Sequence, residues 1–325
     1  MKYIKLPGTD ITVSNLSLGT DSMGMPLTEE ISRGILDAYT EVGGTFIDTA
    51  KVYNDWAEGE KSRSEKIIGR WLKDKGNRHK VVISTKGGHP PVGHMDISRL
   101  SRDELTYDID KSLEHLKTDY VDLYFLHRDD ESLSVDEIMD TLHGFVRDGK
   151  ARAIGLSNWG TDRVKEANEY CKAHGLTPVT ASQIQFGIAR PNMEKVEKTL
   201  KVMDKNAYEF YKKEGMAVMG FSAQSKGYFS KIQAGAELSP KAKERYDNPI
   251  SREIFEILDS IKNEYNCTVT ELVLAVLTSI EDFVCIPILG CKSPMHIQTS
   301  FKASDIKVRP EHIKRILDLS LIVHN

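Results

Sequence analysis

The 325-residue sequence has few cysteines and lacks any long apolar segment. Cys171, Cys267, Cys285 and Cys291 are spread along the chain without a C-x-x-C pair, so neither a disulfide framework nor a zinc site is expected. A reducing, cytoplasmic location fits this cysteine usage best. No apolar run approaches the about 18 residues of a membrane span, and the N-terminus lacks the apolar core of a signal peptide. The sequence therefore predicts a cytoplasmic protein without membrane contact.

An excess of charge of one sign is also missing. The 44 Lys and Arg residues nearly balance the 48 Asp and Glu residues, which gives a net charge of -4. Because no basic block is present that could follow a phosphate backbone, a nucleic-acid partner is not expected. His89 and His94 lie close together in GGHPPVGHMD, but no third ligand is nearby, so a metal site is not expected either.

Short apolar runs recur along the whole chain, each followed by a segment with helical spacing. The runs are rich in Val, Ile, Leu and Phe without strict alternation, which is typical of strands covered on both faces. Eight such β-then-α units without a linker favour a (β/α)8 barrel over a doubly wound sheet, formed as a single domain over residues 1–325. The eight runs are NLSLGT, TFIDTA, KVVISTK, YVDLYFLH, ARAIGLSN, VTASQIQF, MAVMGFSA and DFVCIPILG.

Other segments add to this pattern. The start, KYIKLPGTDITVS, has two β-prone runs around a turn and predicts a hairpin that closes the bottom of the barrel. Pro310 stands at the first-turn position of a predicted extra C-terminal helix. A long charged insertion within residues 225–249 follows the seventh strand. Four helix starts have the capping-box pattern, at residues 62–65, 101–104, 134–137 and 268–271.

Four ionisable side chains stand at or just after the ends of predicted strands. Asp48 ends the second strand, Tyr53 follows five residues later, Lys86 ends the third and His127 ends the fourth. Singly, each has an ordinary structural explanation, such as a turn, packing, solvation or a satisfied polar group in the core. The carboxyl ends of the strands in a (β/α)8 barrel meet at one mouth, where the chemistry of such enzymes collects. The joint placement of the four residues therefore predicts one catalytic site.

The chemistry of the four residues predicts a proton-transfer centre. The pKa of a tyrosine, about 10, is too high for efficient proton exchange at neutral pH, and an adjacent ammonium such as that of Lys86 is expected to lower it. Asp48 is expected to keep that buried ammonium charged and in place. His127 is expected to donate a hydrogen bond to a substrate carbonyl. Because this centre has no electron source, a cofactor is implied.

The sequence contains neither a G-x-G-x-x-G fingerprint nor a P-loop, so a nucleotide must be held in another way. The small-residue loop in GFSAQSKG offers backbone for a pyrophosphate, and the predicted helix start after the last strand suits a phosphate. Ser157, Asn158 and Gln183 offer groups for an amide. The candidates after the last strand are Gly290, Lys292 and Ser293.

The motifs, in their order, resemble those of the aldo-keto reductases, which are NAD(P)H-dependent (β/α)8-barrel enzymes. The resemblance spans nearly the whole chain and rests on FIDTA followed by a tyrosine, VVISTK, DYVDLYFLH, GKARAIGLSNW and the Q-x-x-F of QIQF. It implies that Tyr53 is the general acid/base, that His127 orients the substrate, and that Lys86 with Asp48 tunes the tyrosine. It also implies a nicotinamide near Phe221 and direct hydride transfer between its ring and the carbonyl carbon.

The sequence departs from the family pattern where the cofactor phosphates are expected. FSAQ replaces the common Tyr-Ser-Pro-Leu, and His296 and Ser300 stand where Arg or Gln and Glu-x-Asn are common. Lys292 and Ser293 can still bind a 2'-phosphate, so NADP(H) is favoured while NAD(H) stays open. Residues 193–215 also form a longer segment than the usual unit. The expected cofactor contacts are Gly19, Thr20, Asp48, Ser157, Asn158, Gln183, Phe221, Ser222, Ala223, Gln224, Ser225, Gly227, Gly290, Lys292, Ser293, His296 and Ser300.

The expected substrate contacts are Tyr53, Trp56, His127 and Trp159. The two tryptophans suit stacking on a sugar or another ring, and they equally suit packing at the barrel top. The leading hypothesis is a reductase of aldehydes or ketones, or a dehydrogenase of alcohols, that acts on a small molecule. A nicotinamide-binding redox sensor with slow turnover is the alternative. A third hypothesis makes Lys86 a Schiff-base lysine, but it leaves the other strand-end residues unexplained. The substrate and the oligomeric state stay open.

Overall fold

Eight parallel strands form a closed barrel in the computed structural model, which describes residues 1–323. In chain order the strands are β1 (Tyr3–Lys5), β2 (Thr12–Ser14), β3 (Ser17–Gly19), β4 (Phe46–Asp48), β5 (Val82–Gly87), β6 (Val121–Leu126), β7 (Ala151–Ser157), β8 (Val179–Gln185), β9 (Ala217–Phe221) and β10 (Cys285–Gly290). Strands β3 to β10 follow one another around the barrel, and β10 closes it by pairing with β3. Each of these strands coincides with one of the eight apolar runs, with β5 extending one residue beyond its run, so the predicted (β/α)8 barrel is confirmed.

Helices follow every barrel strand and cover the outside of the sheet. They bury apolar stripes against the strands, as amphipathic helices around a barrel must. No helix within residues 1–323 has both the length and the apolar character needed to cross a bilayer. The helices are α1 (Glu29–Glu41), α2 (Arg63–Lys75), α3 (Arg102–Leu116), α4 (Val135–Arg147), α5 (Thr161–His174), α6 (Lys205–Glu214), α7 (Tyr228–Gln233), α8 (Pro240–Tyr246), α9 (Pro249–Ile261), α10 (Val269–Thr278), α11 (Pro294–Ser300) and α12 (Pro310–Ser320).

The N-terminal hairpin and the barrel interior share one apolar cluster. Strands β1 and β2 pair in antiparallel register, as expected. Leu6, Ile11 and Val13 of this hairpin are buried together with interior residues such as Phe46 and Phe125. Because apolar side chains fill this end, polar side chains collect at the opposite end, where the strands finish. We call that end the mouth.

The predicted helix starts are correct, but the caps differ from one another. Thr268 forms a complete capping box with the glutamate three residues later. Ser101 and Ser134 accept one backbone N–H each. Ser62 does not cap α2, which corrects the expected capping box there: its φ is 55°, and its N–H donates to the carboxylate of Asp55 at 2.7 Å. The preceding loop thus holds this residue in a left-handed conformation, in which its hydroxyl makes no cap hydrogen bond to the helix.

The charged insertion within residues 225–249 is folded against the body of the protein. It contains a 3-10 turn (Ser225–Gly227) followed by α7 and α8. Tyr228, Phe229, Ala242 and Tyr246 are buried, so its apolar positions face inward while its charges face outward. Helix α12 begins at Pro310, as the sequence predicts.

A second long connection, residues 193–204, runs across the mouth between β8 and α6. We call it the crossing segment. The backbone N–H of Gln185 donates to Lys201 O at 2.9 Å, and that of Met203 donates to Gln185 O at 2.9 Å. The N–H of Lys201 also donates to the side-chain oxygen of Asn158 at 3.3 Å. The crossing segment is therefore tied to the ends of β7 and β8.

Candidate active site

The centre of the mouth is a lysine that contacts three oxygen atoms. Lys86 Nζ lies 2.7 Å from Asp48 Oδ2, 2.7 Å from Thr49 O and 3.0 Å from the hydroxyl of Tyr53. Strands β4 and β5 are neighbours and pair Asp48 with Ser84. Side chains alternate along a strand, so Ser84 and Lys86 share the inward face, and the Ser84 hydroxyl donates to Asp48 Oδ1 at 2.7 Å. The register of two parallel strands thus builds the predicted Asp–Lys pair.

The contacts of Lys86 are those of an ammonium group. Lys86 is 1% exposed, and burial lowers the pKa of its ammonium, while the Asp48 carboxylate raises it. The three contacts to Asp48, Thr49 and Tyr53 match the three N–H donors of an ammonium group. A lysine in this state has no free lone pair for attack on a carbonyl. The geometry therefore argues against the Schiff-base hypothesis.

Tyr53 reaches the centre from the loop after β4. Its backbone N–H closes a turn with Ala50 O at 3.1 Å, which brings the half-buried side chain back over the strand end. Burial and the nearby Asp48 carboxylate raise the pKa of Tyr53 well above its usual value. The sequence-based expectation of a lowered pKa is wrong for the free protein, because burial and the nearby carboxylates raise this pKa more than Arg128 lowers it. The phenol is protonated at neutral pH and is a proton donor in this state.

His127 lies beside the phenol. Its backbone N–H donates to Gly87 O at 2.9 Å, and the centroid of its ring is 5.9 Å from that of the Tyr53 ring. Burial and the Arg128 guanidinium lower the pKa of His127 well below its usual value, so the ring is neutral. Its Nδ1 is buried without a partner among the described residues. An unpaired acceptor is less costly to bury than an unpaired donor, so we assign the proton to Nε2, which suits donation to a substrate oxygen.

Sequence reasoning missed three residues of this centre. Ser84 could have been found, because it stands two residues before Lys86 on the same strand face. The ring of His89, considered above only as a metal ligand, lies 4.8 Å from that of His127. No local pattern signals that contact, since it depends on how the loop after β5 folds back. Arg128 follows His127 directly and is buried beside it.

The two predicted substrate tryptophans occupy different environments. Trp56 is 54% exposed, and its ring centroid lies 6.4 Å from that of Tyr53. Trp159 is 1% exposed, stacks under Arg163 and donates its indole N–H to Arg128 O at 3.2 Å. Trp56 therefore borders the open mouth, whereas Trp159 is a packing residue beneath it.

The predicted amide-binding residues stand at the ends of β7 and β8. Gln183 Nε2 donates to Asp48 Oδ1 at 3.1 Å, which leaves its amide oxygen available. Asn158, with a φ of 60°, donates to both His127 O and Ser157 Oγ. Asn158 is thus already engaged within the protein and fixes the loop. On the β3 side, Gly19 and Thr20 lie against the barrel, and Thr20 Oγ1 donates to Asp48 O at 2.9 Å.

The loop after β9 has an unusual backbone. Ser222, Ser225, Lys226 and Gly227 all have a positive φ, so the chain turns tightly here. Gln224 Oε1 accepts the N–H of Gly290 at 2.9 Å, so this loop is joined to the loop after β10. The remaining predicted contacts of this loop, Phe221 and Ala223, are half-buried and buried. Ser225 Oγ is buried without a partner among the described residues. Small residues, a tight chain turn and an orphan hydroxyl fit an elongated ligand lying here.

Cations gather where these two loops meet. Loss of hydration and Arg245 lower the pKa of Lys226, with smaller contributions from Lys241 and Lys292, while the more distant Asp21 carboxylate raises it. None of these four cations has a carboxylate within 4.0 Å in the described part of the chain, so the cluster fits a phosphate. Sequence reasoning missed Lys226. Of the other predicted contacts, Ser293 is the N-cap residue of α11, the exposed His296 accepts the N–H of Lys292, and Ser300 is buried.

Within residues 1–323 we find neither a metal-binding cluster nor a disulfide. No three His, Cys, Asp or Glu side chains come together there in an arrangement that could hold a metal ion. The four cysteines are free thiols.

Comparison with known proteins also indicates an oxidoreductase. The model of the aldo/keto reductase family matches residues 15–320. The chain belongs to that family. Aldo-keto reductases use nicotinamide cofactors, and membership supports oxidoreduction between small-molecule carbonyl compounds and alcohols.

Several relatives of this aldo-keto reductase cover most of its length. An aryl-alcohol dehydrogenase of Pestalotiopsis microspora is 28% identical over 95% of this chain and 79% of its own. An NADP(+) aryl-alcohol dehydrogenase of Phanerodontia chrysosporium is 27% identical over 96% and 84%. Among solved structures, a thermostable aldo-keto reductase in complex with the inhibitor epalrestat covers 98% of this chain and 100% of its own, with a TM-score of 0.74 and 25% identity.

Proposed function

We propose that this aldo-keto reductase interconverts an aldehyde or ketone and its alcohol with NADP(H), and that Tyr53 is the general acid/base. The observation that carries the proposal is the position of Lys86 Nζ, which contacts Asp48 at 2.7 Å and the Tyr53 hydroxyl at 3.0 Å. A protonated phenol, a fixed ammonium and a neutral histidine together fit the demands of carbonyl reduction.

The proton step follows from this arrangement. A carbonyl oxygen placed between Tyr53 and His127 accepts hydrogen bonds from the phenol and from Nε2–H. As negative charge develops on that oxygen, Tyr53 donates its proton. Lys86 then stabilises the phenolate at 3.0 Å, and Asp48 keeps the ammonium in place without taking its proton. In the oxidative direction the phenolate removes the proton from an alcohol.

The cofactor has residues suited to it on the other side of the mouth. A reduced nicotinamide, when bound, supplies the hydride for the carbonyl carbon. Gln183 has an amide oxygen free to hold its carboxamide, and Ser225 and the loop around it suit the pyrophosphate. Lys226 and Lys292, with Ser293, suit a 2'-phosphate, so we favour NADP(H) over NAD(H). The NADP(+) in the name of one relative agrees with this choice.

The substrate side favours a ring. Trp56 presents an exposed indole beside Tyr53, and an aromatic or sugar ring could stack on it while its carbonyl points at the phenol. The relatives named for aryl alcohols make an aromatic aldehyde the first choice. We therefore propose benzaldehydes as the first substrates to test.

Tyr53→Phe is the decisive test. We expect it to lower kcat for benzaldehyde reduction by about 10²–10⁴-fold, because the proton donor is removed. NADPH affinity, followed by quenching of protein fluorescence, should stay within about threefold, because the ring remains and the hydroxyl contacts Lys86 rather than the cofactor loops. Tyr3→Phe at the bottom hairpin is the matched control. Near-parental turnover by Tyr53→Phe would contradict the role of Tyr53, and tight NADPH binding without any oxidation by the parent protein would favour the redox sensor.

A further inference from the structure

Arg128 borders the proton-transfer centre, but part of its guanidinium has no partner there. Arg128 follows His127 just after β6, and it is only 9% exposed. Its Nη1 donates to His127 O at 2.8 Å, and its Nε donates to Thr199 Oγ1 of the crossing segment at 3.2 Å. Within residues 1–323, its Nη2 has no acceptor and its guanidinium has no carboxylate within 4.0 Å. A buried cation of this kind is costly unless something compensates it.

Two other partly buried arginines near the mouth are paired with carboxylates. Arg99 contacts Asp108 with two nitrogens, and Arg163 contacts Asp129. Arg128 is connected to the acidic Glu197 through the hydroxyl of Thr199, which accepts from Arg128 Nε and donates to Glu197 Oε1. Nη2 lacks an acceptor within residues 1–323 and is not fully enclosed, so the edge of the guanidinium at Nη2 is open to a ligand.

The open edge belongs to the reaction side of the mouth. The Arg128 charge lowers the pKa values of Tyr53, His127 and His89, so its guanidinium lies near all three. Strand β6 lies across the barrel from β10, with three strands between them on either side. The cofactor phosphates, which we assign to the loops after β9 and β10, are therefore on the opposite side. An anion at Arg128 belongs to another molecule.

We propose that Arg128 binds a carboxylate on the substrate, so that this protein prefers carbonyl compounds that also carry a carboxylate group. The proposal rests on the proposed function for the identity of the reacting group. A planar carboxylate matches the two-nitrogen edge of a guanidinium, and the bond is strong where water is scarce. The same substrate then places its carbonyl between Tyr53 and His127. Arg128 is a specificity-determining residue in this view.

A binding measurement tests the proposal without turnover. Benzoate and benzamide have nearly the same shape and differ in charge. We expect the protein loaded with NADP⁺ to bind benzoate about tenfold or more tightly than benzamide in calorimetric titration, as a charge-assisted hydrogen bond would give. Equal affinity for the two would overturn the proposal. This wild-type comparison stands even if a variant fails to fold.

Two variants give effects of opposite sign. Arg128→Gln should abolish the preference for benzoate, with Arg128→Lys keeping part of it. Glu197→Gln removes an exposed carboxylate that competes for the guanidinium, and it should tighten benzoate binding about two- to threefold. Arg163→Gln is the matched control, because it also removes one positive charge but lies beyond Trp159. A purely structural role for Arg128 predicts no tightening in Glu197→Gln, and that result would count against the proposal.

Turnover separates this proposal from the proposed function. We expect kcat/KM for 4-carboxybenzaldehyde to exceed that for its methyl ester by about tenfold, mainly through KM, and Arg128→Gln should remove this difference. If neither aldehyde is reduced, the proposed function fails while the benzoate comparison still decides the anion site. An equal loss on both aldehydes in Arg128→Gln would assign Arg128 to catalysis or packing and overturn the specificity role.

Discussion

The two sides of the mouth differ in how far the protein satisfies its own charged groups. On the β4–β6 side, Lys86 has three oxygen partners, and Asp48 accepts hydrogen bonds from Ser84 and Gln183 as well. On the β9–β10 side, Lys226 and Lys292 stand near other cations without a carboxylate partner in the described chain. The charged groups of the β4–β6 centre are paired within the protein, whereas those of the β9–β10 side need a ligand to neutralise them.

This difference follows from what each side must do. A proton-transfer centre works best when its dipoles and charges are fixed before the substrate arrives, because no reorganisation is then needed during the reaction. A phosphate site works best when its cations are held near one another and only the ligand neutralises them. Arg128 lies on the β4–β6 side, but like the lysines of the β9–β10 side it has no carboxylate partner in the described chain. Its open edge is the reason to assign it a ligand.

The largest expected effect comes from breaking the paired β4–β6 centre. Lys86→Met leaves the Asp48 carboxylate buried without its cation, which should lower the free energy of unfolding by about 3–5 kcal/mol. It should also reduce kcat by about 10³-fold or more, because Tyr53 loses the ammonium that stabilises its phenolate. Urea unfolding and steady-state reduction of benzaldehyde measure the two effects separately.

A double variant sharpens that test. Adding Asp48→Asn to Lys86→Met removes the buried charge, so most of the lost stability should return while activity stays low. If activity recovered together with stability, the pair would be a structural feature and the tuning role would be wrong.

A smaller effect is expected on the β9–β10 side. Lys292→Gln and Lys226→Gln should each weaken NADPH binding by about tenfold, because each removes a cation from the proposed 2'-phosphate site. NADH binding should change by less than about twofold, since NADH lacks that phosphate. Fluorescence titration with both cofactors measures the ratio, and Lys314→Gln on α12 is the control. Equal weakening for NADPH and NADH would move these lysines to the pyrophosphate.

The barrel was predictable because its strands are buried on both faces. Runs such as VVIST and VDLYFL are apolar without alternation, and each is followed by a helical pattern, so order along the chain is enough to predict a parallel barrel. The cap at Ser62 was not predictable from its four-residue pattern. Its conformation depends on Asp55, which reaches it from the preceding loop.

The meeting of the predicted strand-end residues at one mouth was predictable, whereas their electrostatics were not. Asp48, Lys86 and His127 stand at strand ends, so the fold alone brings them together. The raised pKa of Tyr53 depends on how deeply the loop buries the phenol, which no local pattern encodes. The open edge of Arg128 likewise depends on the crossing segment, which supplies Thr199 and keeps Glu197 at a distance. Residues far apart in sequence therefore decide charge states that the sequence alone leaves open.

The smallest expected effect concerns pH and the neutral histidine of the β4–β6 side. The pKa of His127 is lowered by folding, so the unfolded chain binds a proton below about pH 6.5 that the folded protein does not bind. Stability is therefore fully present above that pH and falls as pH decreases, by at most about 1.4 kcal/mol per pH unit for one histidine. Urea unfolding of the parent protein between pH 7.5 and 5 should show this loss.

His127→Asn removes the titrating ring and should make that pH dependence shallower. Replacement of the exposed His79 by Asn is the control for losing a histidine elsewhere. His89 packs on His127 and also has its pKa lowered, chiefly by burial, so part of the slope should remain. An unchanged slope in His127→Asn would mean that the folded protein protonates His127 as readily as the unfolded chain does. His127 could then not be the neutral donor that a complete proton-transfer centre requires.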